Sequence, residues 1–367
     1  NVLIGKSAGA AITTGARNTF IGYLAGDGHD AETYNIGIGE SALGGSIAGG
    51  EYNIAIGAHA LDAVTSGDSN LGIGYNAGTA ITTGNQNVSV GNSSFASVSS
   101  GDGNTAIGYY AGSDTTTGSN NVFVGKNAGI AHTTSHQNVL IGSDAGASIT
   151  TGGDNIMIGR ESGDGYDTES HNIGIGTGAL GGSIAGGEYN TCVGTYGLDA
   201  LTSGDDNVAM GYQAGTAVST GSKNTCVGKG AGGSLTTGDE NLILGREAQA
   251  AAVDSDNSVT LGSSNISSLR CQVQSISALS DERDKTDIID LPYGLDFINS
   301  TRPVQFKWNI RDKYCLENNP HQGKTRNGFI AQELLLIGNN EQHNLVLEDN
   351  PDRLEAAYSG MIPMLVK

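Results

Sequence analysis

The chain is poor in proline, in cysteine and in positive charge. Of 367 residues, 5 are Pro, 4 are Cys and 18 are Lys or Arg, against 38 Asp or Glu. All five prolines follow Gly262, and that segment without proline carries 7 Lys or Arg against 24 Asp or Glu. Collagen is excluded despite 58 glycines, because a triple helix needs glycine at every third position together with abundant proline. So few cysteines in a chain of this length do not make a disulfide scaffold, and none of their spacings is of metal-binding type. A net charge of −20 argues against a nucleic-acid backbone or an anionic membrane surface as partner. No run of 18 apolar residues spans a bilayer as a helix. The sequence starts at Asn1 without Met or a signal-like stretch, so it is expected to be part of a longer protein whose N-terminal portion holds any anchor.

What is present is a repeat. An Asn followed three residues later by an apolar residue and then by Gly begins at Asn1 and recurs fifteen times, to a last copy in which Ser258 replaces the Asn. The step is 17 residues, with two steps of 18 after Asn35 and Asn172, both carrying the string GGSIAGGEYN. The residue after the Asn is Val, Ile or Leu in twelve copies and Thr in four, as at Thr19 and Thr105. Apolar residues at alternate positions predict one buried face of a short strand. The invariant Gly ends that strand, and a Thr-Gly or Ser-Gly such as Thr83-Gly84 marks the opposite turn.

Seventeen residues hold one or two short strands, so the expected fold is mainly β: a parallel β-solenoid or β-prism shaft over 1–262, roughly 75 Å long at the strand spacing. Each layer offers a thin core, and the expected remedy is lateral association into a closed trimer. The Asn is expected to fill a turn position and to stack as an amide ladder. Cys192 and Cys226, equivalent positions two repeats apart, are expected to lie about 9–10 Å apart as free thiols. On strings such as NLGIGYNAG (70–78) and NTAIGYYAG (104–112), the repeats resemble the head repeats of trimeric bacterial adhesins and the glycine-rich repeats of phage tail fibres.

Three apparent motifs are discounted. Gly37 to Ala42, Gly72 to Ala77 and Gly174 to Ala179 fit a dinucleotide fingerprint, but a turn signal follows where the fingerprint needs a long helix. His132 and His136 lie in the turn-rich AHTTSHQN and read as solvated loop histidines rather than metal ligands. Asp27 with Asp30, and their repeats Asp164 with Asp167, are weak Ca²⁺ candidates whose default reading is a solvated acidic turn. No cofactor or resident metal is expected, and no pair of carboxylates stands out as a glycosidase acid and nucleophile.

After a neck over 263–279 the text changes character. Four blocks follow in order: Ser-Asp-x-Arg-x-Lys at 280–285, the alternating strand RPVQFKWN at 302–309, Gly-Phe-Ile-Ala-Gln-Glu at 328–333, and Tyr-x-x-Met-Ile-Pro-x-Leu-Val-Lys at 358–367. Together they resemble the C-terminal intramolecular chaperone domain of endosialidases and of phage tail spikes and fibres. The resemblance implies a small α+β domain over 280–367 that assembles a trimer and then releases itself by autoproteolysis. It also implies a trailing coiled-coil helix, expected to be absent or outside this sequence. Carried over, Ser280 is the nucleophile that attacks the carbonyl of Leu279 and Lys285 is the base, with Asp281 and Arg283 shaping the turn. A Lys serves as a base only when neutral, so burial must lower a pKa near 10.4 by several units. Five residues apart on one helix, the two would diverge by about 140°, so the backbone must turn between them.

The function these features imply is the distal part of a homotrimeric virion tail fibre, extracellular, adhering to a host receptor or glycan. Other tail proteins would join it through a preceding segment. Any enzymatic activity would be one self-cleavage. A cell-encoded trimeric adhesin with the same chaperone module and a polysaccharide-degrading spike are the alternatives.

Overall fold

The computed structural model describes residues 1–45, 49–182 and 186–266, and beyond them 268, 286, 291, 293–307, 323, 325–337, 345–347, 354–356 and 361. The chain divides into two compact units, Asn1–Leu261 and Gly262–Lys367. The first is a parallel β-solenoid and the second a small region of short helices and strand pairs.

Each repeat of the first unit is one coil with one three-residue strand, from β1 (Val2–Ile4) to β16 (Val259–Leu261). The sixteen strands form a single parallel sheet in sequence order, every residue paired with its equivalent one coil away. The ladder continues outside the strands. In the turns, Gly9 donates its N–H to Ala25 and Thr116 to Thr133, so main-chain groups of the turns are satisfied by the next coil. This coil-to-coil bonding holds residues in the left-handed region that would otherwise be strained. The residue before each Asn has positive φ in coil after coil, as at Tyr34 (63°) and Lys223 (58°). The strand-ending Gly is different, with φ near +133° at Gly74, where a Cβ would also sit 2.6 Å from the carbonyl oxygen of Gly91. That position admits only glycine.

The Asn column is an amide ladder, and it runs inside the coil rather than on its surface. Asn104 is fully buried; its Oδ1 accepts the main-chain N–H of Asn121 at 3.0 Å, and its Nδ2 donates to the carbonyl of Gly118 at 2.8 Å. Strand side chains alternate, so an inward Asn carries the middle strand residue inward with it. Phe20, Ala55, Ala106, Phe123, Leu140 and Met157 are fully buried there. The flanking apolar residues point the other way. This corrects the expectation that they form the buried face of the coil: within the chain they line its outer face.

The interior is narrow enough that two positions share it. Where the middle strand residue is large, as at Phe20, Phe123 and Met157, the residue four past the strand-ending glycine is Gly26, Gly129 or Gly163. Where that later residue is large, as at Leu43, Leu61, Phe95 and Leu180, the middle residue is Gly37, Ala55, Ser89 or Gly174. Native packing density leaves room for one or the other.

In the second unit, α1 (Leu295–Ser300) buries Phe297, and β17 (Val304–Lys307) pairs antiparallel with β18 (Thr325–Gly328). Val304 and Phe306 are the half-buried residues of their strand, as the alternation predicts. The helix α2 (Ala331–Leu335) and a second pair, β19 (Val346–Leu347) with β20 (Glu355–Ala356), complete the described elements. Phe297, Leu334, Leu345, Val346 and Met361 form their core.

Candidate functional site

The outer face of the sheet is the largest chemical feature of the solenoid. Two columns of β-branched and other apolar side chains run along it, and many are open to water: Ile56 is 39 %, Ile107 42 % and Met210 51 % exposed. At strand spacing, sixteen layers about three residues wide present on the order of 750 Å². Monomeric proteins seldom leave a contiguous apolar patch larger than about 300–600 Å².

Two further columns flank this ribbon, the residues before each Asn and the residues after each strand-ending glycine. They hold side-chain ladders of their own. The Arg17 guanidinium lies 5.0 Å from the centre of the Tyr34 ring, which stacks on Tyr52 at 5.0 Å and 11°. His171 stacks on Tyr189 at 4.9 Å and 10°. Across the ribbon, Lys6 sits 5.8 Å from the Tyr23 ring and Lys229 5.8 Å from that of Tyr212.

The proposed scissile and catalytic residues Leu279, Ser280, Asp281, Arg283 and Lys285 lie outside the described residues, as do Trp308, Cys271 and Cys315. The acidic turns are described. Asp30 accepts from the Thr13 hydroxyl and Asp167 from the Thr150 hydroxyl, each one coil away. Burial, followed by the charge of Glu161, holds the Asp164 carboxyl above its usual value. Among the described residues no group of three or more His, Cys, Asp or Glu could hold a metal ion, so Asp27, Asp30, Asp164 and Asp167 are not brought together as a Ca²⁺ cage.

His132 is not a solvated loop histidine. It is fully buried, with Nε2 2.5 Å from the Ser135 hydroxyl and Nδ1 3.3 Å from that of Thr115, and burial pushes its pKa down to about 4. His136 is exposed, as expected, and accepts the Ser119 N–H. Aligning coils would have revealed the difference, because His132 falls in the column of Val64, Ile81, Val98 and Ile149. Cys192 and Cys226 are buried free thiols in the middle-strand column, and burial pushes them up to about 12 and about 11. They stay protonated and unreactive at neutral pH.

In the second unit, Arg302 and Glu333 form a two-pronged ion pair that ties the entry of β17 to α2, with Nε 2.9 Å from Oε2. The guanidinium holds the Glu333 carboxyl below its usual range. Beside the pair opens a cavity of about 190 Å³, floored by Phe329, Leu334 and Ile337. Among the described residues no helix is long and apolar enough to cross a membrane.

No curated protein and no solved structure matches the chain. Residues 280–341, which include α1, the β17–β18 pair and the Arg302–Glu333 ion pair, match the family model described as chaperone of endosialidase.

Proposed function

We propose that the chain is the shaft and assembly end of a homotrimeric fibre, carried on a virion tail, whose work is reach and attachment to a host surface. The observation that carries this reading is the apolar outer face of the sheet, sixteen strands long and without a partner in its own coil. A second and third copy would cover it, burying the flanking strand residues about an axis parallel to the shaft. A chaperone-of-endosialidase segment immediately C-terminal to such a shaft supports the same reading, since side-by-side association of long, edge-rich chains benefits from a domain that sets them in register.

In this reading the last step is self-cleavage. The Ser280 hydroxyl attacks the Leu279 carbonyl while neutral Lys285 takes the hydroxyl proton. The Leu279–Ser280 C–N bond breaks as that proton passes to the Ser280 nitrogen. Water then hydrolyses the resulting ester between Leu279 and the Ser280 oxygen, leaving a carboxylate at Leu279 and a free amino terminus at Ser280.

Light scattering on the purified chain tests the assembly. The expected mass is three times the 37.3 kDa of one chain, less whatever self-cleavage releases, and a mass near that of a single chain would overturn the reading. Mass spectrometry tests the cut: a fragment beginning at Ser280 that disappears in Ser280→Ala is expected, and an intact wild-type chain removes the step. Loss of cell binding when the shaft is pre-incubated as a soluble competitor tests attachment.

A further inference from the structure

We infer that the shaft closes as an in-register ring in which the residue before each Asn on one chain meets, at the same coil, the residue after the strand-ending glycine on the next chain. The inference rests on the trimer reading above and goes further by naming the contacts. The two columns lie on opposite edges of the apolar ribbon. A rotation axis parallel to the shaft carries one edge of a copy onto the opposite edge of its neighbour, and a closed ring allows no net rise between copies.

The residues fit that register. Asp154 shares its coil with Arg160, and Glu240 with Arg246, so each carboxylate meets a guanidinium across the junction. Bulk is complementary as well: Tyr52 shares a coil with Ala58, Tyr75 with Ser69, and Tyr109 with Gly103. No coil has tyrosine on both rims. A slip of one coil sets Tyr52 on Tyr75, Tyr189 on Tyr212 and Lys223 on Arg246, while the opposite slip sets Arg17 on Lys6 and Tyr34 on Tyr23.

The like-charged pair of the matched register, Lys223 with Lys229, is compensated within each chain. Lys223 has Glu240 at 3.0 Å, and Lys229 lies over the Tyr212 ring. Among the described residues of the single chain, Arg160 and Arg246 are exposed and form ion pairs with their sequence neighbours Glu161 and Glu247, pairs of the weak solvent-screened kind that a better-placed carboxylate displaces.

Cross-linking tests the register. Within one chain the two rim positions are six residues apart along extended backbone, about 20 Å. A short bismaleimide therefore joins them only between chains. With Cys271 and Cys315 replaced by Ser, the Asp154→Cys/Arg160→Cys chain is expected to give covalently closed trimers, and the slipped combination Asp154→Cys/Thr177→Cys is not. A scattering trimer that cross-links only in the slipped combination, or in neither, overturns the register and leaves the trimer standing. A monomeric wild type overturns the trimer itself. A second readout guards against a variant that fails to assemble for other reasons: Asp154→Arg should weaken assembly at least tenfold, and Arg160→Asp in the same chain should restore it. No restoration, with an assembled wild type, also overturns the register.

Discussion

The Phe123 ring occupies the place where a side chain on Gly129 would begin, with its Cδ1 and Cε1 2.9 Å from where that Cβ would lie. Leu43 and Leu61 take the equivalent left-handed position in other coils, at φ 53° and 50°, opposite Gly37 and Ala55. The backbone therefore accepts a leucine at position 129, and side chains alone oppose it, the Phe123 ring first and Leu140 Cδ1, at 3.0 Å, after it. Phe123→Ala alone should cost about 3–5 kcal/mol through its cavity. Gly129→Leu alone should cost about 1–3 kcal/mol through overpacking. The double variant should lie well below the sum, because the new leucine fills the space the ring left. Strict additivity in chemical denaturation would show that the two positions do not share one volume.

Glu32 explains the longer coils. Three residues before each Asn the usual residue is glycine, since a Cβ there would meet the next coil; at Gly101 it would lie 2.1 Å from the Gly118 carbonyl oxygen. Glu32 and Glu169 occupy this position just where the next coil has its extra residue, and their Oε1 atoms accept from Gly49 and Gly186, each at 3.0 Å. Their Oε2 atoms accept from Asp30 at 2.8 Å and Asp167 at 2.9 Å. Glu32→Gln turns one acceptor into a donor facing a donor, and an expected loss of about 1–3 kcal/mol follows. Hydrogen exchange localises it: faster exchange at Gly49 and Asp30 is expected, and unchanged protection there would show that the carboxylate is not what holds the loop.

Asn104→Ala should rank among the most damaging single substitutions. It strips a partner from the buried Asn121 N–H and the Gly118 carbonyl together, at about 1–3 kcal/mol for each group left unpaired. Asn104→Asp keeps the acceptor but cannot donate to Gly118, and its charge is buried, so it should do better in acid, where the carboxyl can carry a proton. A substitution without measurable effect on thermal unfolding would mean that the ladder contributes nothing.

Stability should fall as pH drops from about 6.5 to about 4. Burial pushes both His29 and His132 down to about 4. The unfolded chain, with imidazoles near 6.5, takes up protons across that window that the folded chain cannot. Each site then loses on the order of 3 kcal/mol by the bottom of the window. Neither ring nitrogen of His29 has a well-formed hydrogen bond, and burial outweighs the opposing influence of the Glu32 charge and the Gly26 backbone. His29→Tyr, which copies the residue at the equivalent Tyr166, should remove one half of the pH dependence. A wild-type midpoint that stays flat across this range would place both rings in contact with water.

The number of coils, their period, the strand in each and the amide ladder were all legible in the residues, because a solenoid stacks equivalent positions of successive coils in one column and the Asn and strand-ending Gly columns read as near-invariants. The two 18-residue steps were legible as well. Their cause was not, since Glu32 and Gly49 meet only when consecutive coils are stacked. His132 was missed by reading along the chain, where its neighbours are polar, instead of down its column, where they are apolar.

The apolar alternation by itself determined that one face of each strand avoids water. It did not determine whose surface hides that face. Tertiary structure decided it: the buried Asn takes the inside of the coil, the middle residue shares that side, and the Val, Ile and Leu pairs are turned outward. The physical reason is space. A 17-residue coil has room inside for the amide, a small residue, one alternating bulky side chain and the column of Val64 and Ile81, so the apolar pair that flanks the middle strand residue is left on the outside.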